Sequence, residues 1–92
     1  MNNQKIEILS KKMKALANEK RLKILYQIEN CEMSVGEIEK KVDLSQSALS
    51  QHLAVLRDEN IVKTRRDAQI IYYGVEDKKI KQILMILREL YL

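Results

Sequence analysis

Residue types that build catalytic and metal sites are scarce in this chain. Its 92 residues include one cysteine, Cys31, one histidine, His52, two glycines and no proline, tryptophan or phenylalanine. A single cysteine excludes an intrachain disulfide and a cysteine-rich structural zinc site. No glycine-rich phosphate loop is present, and one histidine leaves little material for acid–base or nucleophilic catalysis. We therefore predict a protein that is not an enzyme and has no catalytic residues and no cofactor.

Long apolar runs are missing as well. No stretch of about 18 apolar residues is present to span a membrane, and the N-terminus lacks the apolar core of a signal peptide. Without proline or low-complexity runs no linker is visible, so we expect a single domain over residues 1–92 of a cytoplasmic protein with no membrane partner. A domain this small buries a modest share of its surface, which favours support from a second chain.

The charge is moderately positive and peaks locally in residues 61–75. The net charge of the chain is +4, and this segment alone holds three basic residues against one acid. Such a distribution favours a nucleic-acid partner over an anionic membrane, where a denser run of lysine and arginine is typical.

The pattern in residues 44–60 predicts a helix with two contrasting faces. Ser45 is a good N-cap, because its hydroxyl can accept from an unpaired amide of the first turn. An apolar stripe at helical spacing should face the core; it contains Leu49, Leu53 and Leu56, with His52 on the same side.

The opposite face of that helix is small, polar and uncharged, and it presents Gln46, Ser47, Ser50 and Gln51. Glutamine can pair bidentately with adenine, and serine can bond bases or phosphates. An ordinary solvent-exposed face is the alternative. However, other surface helices of this chain carry lysine and glutamate, whereas Ser45 to Val55 carries no charge. We therefore interpret these four residues as base-reading.

Two β-rich runs follow, Ile61–Thr64 and Gln69–Val75, with Asp67-Ala68 as the predicted turn between them. Asn60 should close the preceding helix in a left-handed conformation. The hairpin carries basic residues suited to the DNA backbone or the minor groove, namely Lys63, Arg65 and Arg66. The alternative is that these charges only protect an edge strand from aggregation.

Four more helices complete the expected chain. They span about 4–16, 19–29, a short segment that ends near Val42, and 77–92, and residues 31–33 are a candidate short strand. Ser34 and Glu37 form a Ser-x-x-Glu capping box that opens the short helix. A helix-turn-helix is therefore expected at about 34–59, with a hairpin wing at about 61–75.

The first and last helices carry more apolar residues than one small domain needs. We expect them to form a homodimer interface, although the alternative is that they only cover the core. The predicted interface residues are Ile6, Leu9, Met13, Ile80, Ile83, Leu84, Leu87, Leu90 and Tyr91.

Two residues near these elements have open roles. Arg21, near the start of the second helix, is a candidate anchor for a phosphate or for a local carboxylate. His52 is interpreted as a structural histidine that links its helix to the hairpin, rather than as a base or a ligand.

The segment Leu-Ser-Gln-Ser-Ala-Leu-Ser-Gln-His-Leu-Ala-Val-Leu-Arg, followed by Ile-Val-Lys-Thr-Arg-Arg-Asp-Ala-Gln-Ile-Ile-Tyr-Tyr, resembles the ArsR/SmtB family of bacterial repressors. Within that family it is most similar to the HlyU/BigR-like branch. The resemblance covers about residues 13–92. It implies a mainly α (α+β) winged helix-turn-helix fold, with five helices and a β-hairpin wing, that dimerises through the first and last helices.

The resemblance also implies sensing chemistry that these residues do not match. One family metal site uses cysteines at the start of the third helix, where this chain has Met33 to Glu37. The other uses an Asp, two His and a Glu on the last helix, and only Asp77 is present. The HlyU/BigR-like branch pairs two cysteines as a dithiol sensor, and this chain has Tyr26 and Leu92 at those two positions. We therefore predict no metal site, and Cys31 remains as a lone cysteine.

Together these features predict a homodimeric, sequence-specific regulator of transcription that binds double-stranded DNA at an imperfect palindrome. By its resemblance to bacterial repressors it would act in the cytoplasm, at the nucleoid. The alternatives are a winged-helix module that binds other proteins, and a redox- or sulfur-responsive regulator acting through Cys31.

Overall fold

The computed structural model describes residues 2–92, which form five helices and one three-stranded antiparallel sheet. In chain order the elements are α1 (Asn3–Leu16), α2 (Glu19–Ile28), β1 (Met33–Ser34), α3 (Val35–Lys41), α4 (Gln46–Asp58), β2 (Lys63–Asp67), β3 (Ile70–Gly74) and α5 (Lys78–Tyr91). Helices α1, α2, α3 and α5 agree with the expected bounds to within one residue, and α4 lies within the expected segment 44–60. The candidate short strand is present but lies later than expected, at Met33–Ser34.

Each helix begins after a residue whose side-chain oxygen accepts a hydrogen bond from an amide of the first turn. These residues are Asn2, Asn18, Ser34, Ser45 and Asp77. The first amides of a helix have no partner within the helix, so such side chains set where it starts. The capping box is confirmed, because Ser34 also donates its backbone N–H to Glu37 Oε1 at 3.0 Å.

The sheet has the strand order β1-β3-β2 and contains the wing, which is the hairpin of β2 and β3. Asp67 pairs with Ile70, so the turn residues are Ala68 and Gln69. The expected turn at Asp67-Ala68 was therefore wrong by one residue. Ala68 takes the left-handed conformation at φ 57°, an unusual choice for a residue with a Cβ. Asn60 has φ 58°, which confirms that it closes α4 in the expected left-handed conformation.

The core lies where the C-terminal end of α1 meets α2, α3, α4, the sheet and α5. The central helix α2 contributes Ile24, Leu25 and Ile28, each at most 1% exposed. Ile61 and Val62 were expected in the first wing strand, but they precede it and are buried. They anchor the base of the wing to the core.

Most of the first helix is exposed in the single chain. Every residue from 2 to 11 is exposed, and within α1 only Ala15 and Leu16 are buried. Its N-terminal turns therefore present apolar side chains that the same chain does not cover. Among the residues described, no helix has the length and apolar character needed to cross a membrane.

Candidate nucleic-acid interface

Helix α4 separates its two faces as the sequence indicates. Leu49, Leu53 and Leu56 are at most 2% exposed and fix the helix to the core. On the outer side, all four predicted base-reading residues are exposed, namely Gln46, Ser47, Ser50 and Gln51. The outer side is thus an accessible, uncharged row of amide and hydroxyl groups along the first two turns of the helix.

The turn before α4 positions this face. Val42 is buried at 4% exposure after the end of α3, and Leu44 is packed against the core. Ser45 then accepts from the amide of Ala48 at 3.1 Å and begins α4. Val42 and Leu44, together with the three buried leucines of α4, therefore fix the orientation of α4 relative to α3.

The middle of α4 is attached to α2 rather than to the wing. Arg21 Nη1 lies 3.3 Å from His52 Nδ1. The expected link between His52 and the hairpin was therefore wrong. Burial lowers the pKa of His52, and the positive charges of Arg21 and Lys20 lower it further. The lowered pKa favours the uncharged ring at neutral pH. Among the described residues Arg21 bonds to this ring rather than to a local carboxylate.

The cations of the wing have different surroundings. All five residues of β2 are exposed, including Lys63 and Arg66. Arg65 instead donates from Nε to Glu32 Oε1 at 2.7 Å, and its guanidinium lies 4.5 Å from the centre of the Tyr72 ring. The hydrogen bond to Glu32 raises the pKa of Arg65 above its ordinary value. Arg65 therefore joins the wing to the loop before β1.

The apolar residues predicted for a dimer interface fall into three groups by exposure. On α1, Ile6, Leu9 and Met13 are 38–50% exposed, and on α5 Leu90 and Tyr91 are 70% and 78% exposed. Ile83 and Leu87 are half-buried. Ile80 and Leu84 are at most 2% exposed within the single chain. The assignment of those two residues to an interface is corrected, because they face the chain's own core.

Comparisons with known proteins agree with this geometry. A family model described as bacterial regulatory protein, arsR family, matches residues 18–64. The transcriptional activator HlyU of Vibrio cholerae is 45% identical over 95 aligned positions, which cover 99% of this chain and 88% of that protein. The chain belongs to the ArsR family of bacterial regulatory proteins.

Solved structures superpose closely on this ArsR-family chain. The crystal structure of NolR from Sinorhizobium fredii has a TM-score of 0.90 at 48% identity, covering 99% of this chain and 94% of that one. A domain from Mycobacterium bovis, described as a homodimeric winged helix-turn-helix DNA-binding domain, has a TM-score of 0.87 at 22% identity, covering 98% of this chain and 86% of that one. The expected winged helix-turn-helix fold is confirmed.

Of the two positions that the resemblance assigns to the family's dithiol, Tyr26 makes a structural contact and Leu92 is exposed. Tyr26, which falls on one dithiol position, donates its hydroxyl to the Leu84 carbonyl oxygen at 2.8 Å. Arg88 forms an ion pair with the buried Glu29 and lies over the Tyr26 ring. These contacts join α2 to α5. Cys31 is exposed, and its thiol makes a weak 3.5 Å hydrogen bond to the Glu32 carbonyl oxygen.

Asp77, which the resemblance places at the family's last-helix metal site, serves as the N-cap of α5. It accepts from the amide of Lys79 at 2.8 Å. Within residues 2–92, no three histidine, cysteine or acidic side chains gather closely enough to hold a metal ion.

The interactions that sequence reasoning missed join residues far apart in the chain. Glu32 lies 33 positions from Arg65, and Lys12 donates to a carbonyl oxygen 47 positions away. Nothing in the local pattern marks either of them. Arg21 and His52 each stand out in the sequence, but no periodicity relates residues 31 positions apart.

Proposed function

We propose that this chain is a homodimeric, sequence-specific transcriptional regulator that binds double-stranded DNA and lacks the family's metal sites. The observation that carries the proposal is the accessible, uncharged polar face of α4. A helix that is fixed to the core by leucines and carries no charged residue from Gln46 to Val55 can lie close to base edges in the major groove.

Base reading is assigned to Gln46, Ser47, Ser50 and Gln51. An amide offers a donor and an acceptor side by side, which matches the adenine edge, and the serine hydroxyls adapt to donors or acceptors. Because the leucines hold α4 rigidly, these groups are presented in a fixed orientation, as sequence discrimination requires.

Backbone contacts are assigned to the wing. Lys63 and Arg66 are exposed and basic, so they suit phosphates flanking the site. Arg65 was grouped with them on sequence grounds. Its pairing with Glu32 supports a second role, which is to hold the wing at the correct angle while Arg66 contacts DNA.

The dimer is assigned to α1 and α5. The proposal is supported by the apolar side chains that the single chain leaves exposed, and by the homodimeric state described for the Mycobacterium bovis domain. In a two-fold dimer the two α4 helices would enter successive major grooves about one helical turn apart, so the operator would be an imperfect palindrome.

Selection of binding sites from a pool of random duplex DNA tests the proposal. A regulator of this type should enrich two related half-sites with centres about 10–10.5 base pairs apart. Recovery of no preferred sequence would refute DNA reading and favour a module that binds proteins. Zinc titration is a parallel check: tight stoichiometric zinc binding that abolishes DNA binding would contradict the absence of the metal sites.

A further inference from the structure

Arg21 is bonded simultaneously to three groups on two other helices. Its Nε donates to the Ala15 carbonyl oxygen at 2.5 Å and its Nη2 to the Lys14 carbonyl oxygen at 3.0 Å. Its Nη1 lies 3.3 Å from His52 Nδ1 on α4. The two carbonyls belong to the last turn of α1, where carbonyl oxygens lack partners within the helix. One planar guanidinium therefore joins the end of α1 to the middle of α4.

A second bond joins the same two helices. Lys12 on α1 donates from Nζ to the Glu59 carbonyl oxygen at 2.6 Å, and Glu59 is the C-cap of α4. His52 and Glu59 are about two turns apart on one side of α4. Two attachment points on one side of a helix resist both its rotation and its translation relative to α1.

We propose that Arg21 is a positioning residue for DNA recognition, which couples the placement of the reading helix α4 to α1. The inference rests on the proposed function, because α1 is there assigned to the dimer interface. Through Arg21 and Lys12, the contact between subunits sets the separation and the tilt of the two α4 helices.

The coupling should act on sequence recognition more than on general affinity. Bonds to base edges require each α4 helix to be correctly placed, and the two helices must fit half-sites at a fixed spacing. Phosphate contacts from flexible lysine and arginine side chains tolerate small displacements and carry no sequence information. We call the bonds of Arg21 to α1 and to His52 the tie. Its loss should therefore reduce binding to the preferred site and leave binding to unrelated DNA unchanged.

The tie depends on the protonation state of His52. Nδ1 can accept from Arg21 only when the ring is neutral and the proton is on Nε2. The charged groups on this side are Lys20 and Arg21 from α2, and Lys11, Lys14 and Glu59 line the cleft beside Arg21. The lowered pKa keeps the acceptor available at neutral pH. The tie is intact above the ordinary value of 6.5 and is lost as the pH falls through the lowered pKa.

The first test uses the DNA-free protein and nuclear magnetic resonance. His52 is the sole histidine, so its ring signals need no assignment by mutation. Nitrogen shifts should show the Nε2–H form at neutral pH, and Arg21→Gln should raise the pKa of His52. Lys23→Gln is the matched control, because Lys23 is exposed on the same helix and pairs with Glu19. An Nδ1–H ring, or a His52 pKa unmoved by Arg21→Gln, would overturn the contact.

The second test measures DNA binding by Arg21→Lys, which keeps the charge but cannot reach three acceptors. Binding to a duplex selected by the wild type should weaken on the order of tenfold, as for loss of hydrogen bonds to a charged group. Binding to a scrambled duplex and the slope of log affinity against log salt should stay unchanged. Equal weakening on both duplexes would overturn the proposal, and so would unchanged binding on both.

The pH dependence of site preference in the wild type is a third test, which remains usable even if the Arg21→Lys variant does not fold. Site preference of the wild type should decline as the pH falls through the pKa of His52. His52→Gln retains an acceptor but cannot titrate, so it should keep its preference at neutral pH and lose this decline. Tighter binding on acidification that disappears in His52→Gln would instead indicate a phosphate contact and overturn the proposal. If the wild type selects no site, the proposed function fails, while the resonance measurements still decide whether the tie exists.

Discussion

Truncation of Leu9 on α1 should weaken the dimer without disturbing the fold. Leu9 is 48% exposed in the single chain. Full burial of a leucine side chain contributes about 2 kcal/mol, so covering the exposed half contributes about 1 kcal/mol. A two-fold interface contains the residue twice, which gives about 2 kcal/mol for Leu9→Ala. The dimer dissociation constant should therefore rise roughly thirtyfold. Alanine is a strong helix former, so α1 itself should persist.

Sedimentation equilibrium on DNA-free protein measures this change over a range of concentrations. Ile70→Ala on the wing is the matched control, because Ile70 has the same exposed fraction, 48%, and lies outside the proposed interface. Only Leu9→Ala should shift the monomer–dimer midpoint. The assignment of α1 to the interface would be refuted if Leu9→Ala dimerised as tightly as the wild type. It would also be refuted if both variants shifted the monomer–dimer midpoint equally.

Three further predictions concern the core, the wing and the capping box. Leu84→Ala should lower the free energy of unfolding by about 2–5 kcal/mol, measured by urea denaturation, because Leu84 is fully buried; an unchanged midpoint would contradict its place in the core. Arg66→Ala should flatten the slope of log DNA affinity against log salt by roughly 0.9 for each phosphate that the variant no longer neutralises, whereas Arg65→Ala should change the slope less; a larger change for Arg65→Ala would reverse these roles. Hydrogen bonds from Ser34 lower the pKa of Glu37 below 4.5, so its contribution to stability is full above that value and is lost as the pH falls through the lowered pKa. The free energies of unfolding of the wild type and of Glu37→Gln should therefore converge as the pH falls in an acid-denaturation series. A difference between them that stays constant with pH would argue against the carboxylate as the cause.

Features with a local cause were predicted accurately from the sequence. A cap needs one acceptor at one position, and Ser34 and Ser45 both serve as expected. Asn60 took the expected left-handed conformation, which also has a local cause because asparagine tolerates that conformation at the end of a helix. The wing turn was misplaced by one residue because Ala68, which has no special preference for positive φ, occupies it.

Features that depend on distant contacts could not be predicted. The spacing of α5 shows that the helix is apolar on a wide side, but it does not reveal which part faces the chain's own core. The structure buries Ile80 and Leu84 and leaves Ile86 and Leu90 exposed. Likewise, a basic hairpin predicts DNA contacts for each arginine alike. Only the fold shows that Arg65 meets Glu32 across the sheet.

The central claim is that the outer face of α4 reads DNA sequence, and one measurement tests it most directly. The affinities of wild type, Gln51→Ala and Ser47→Ala are measured on a selected duplex and on a scrambled duplex of the same length. Both are measured at the same salt concentration. Each variant should lose about 1–3 kcal/mol on the selected site for every good hydrogen bond to a base that it can no longer form. Binding to the scrambled duplex should hardly change, because phosphate contacts do not read sequence. If both variants kept the full preference of the wild type for the selected duplex, α4 would not be the reading element and the account would be wrong.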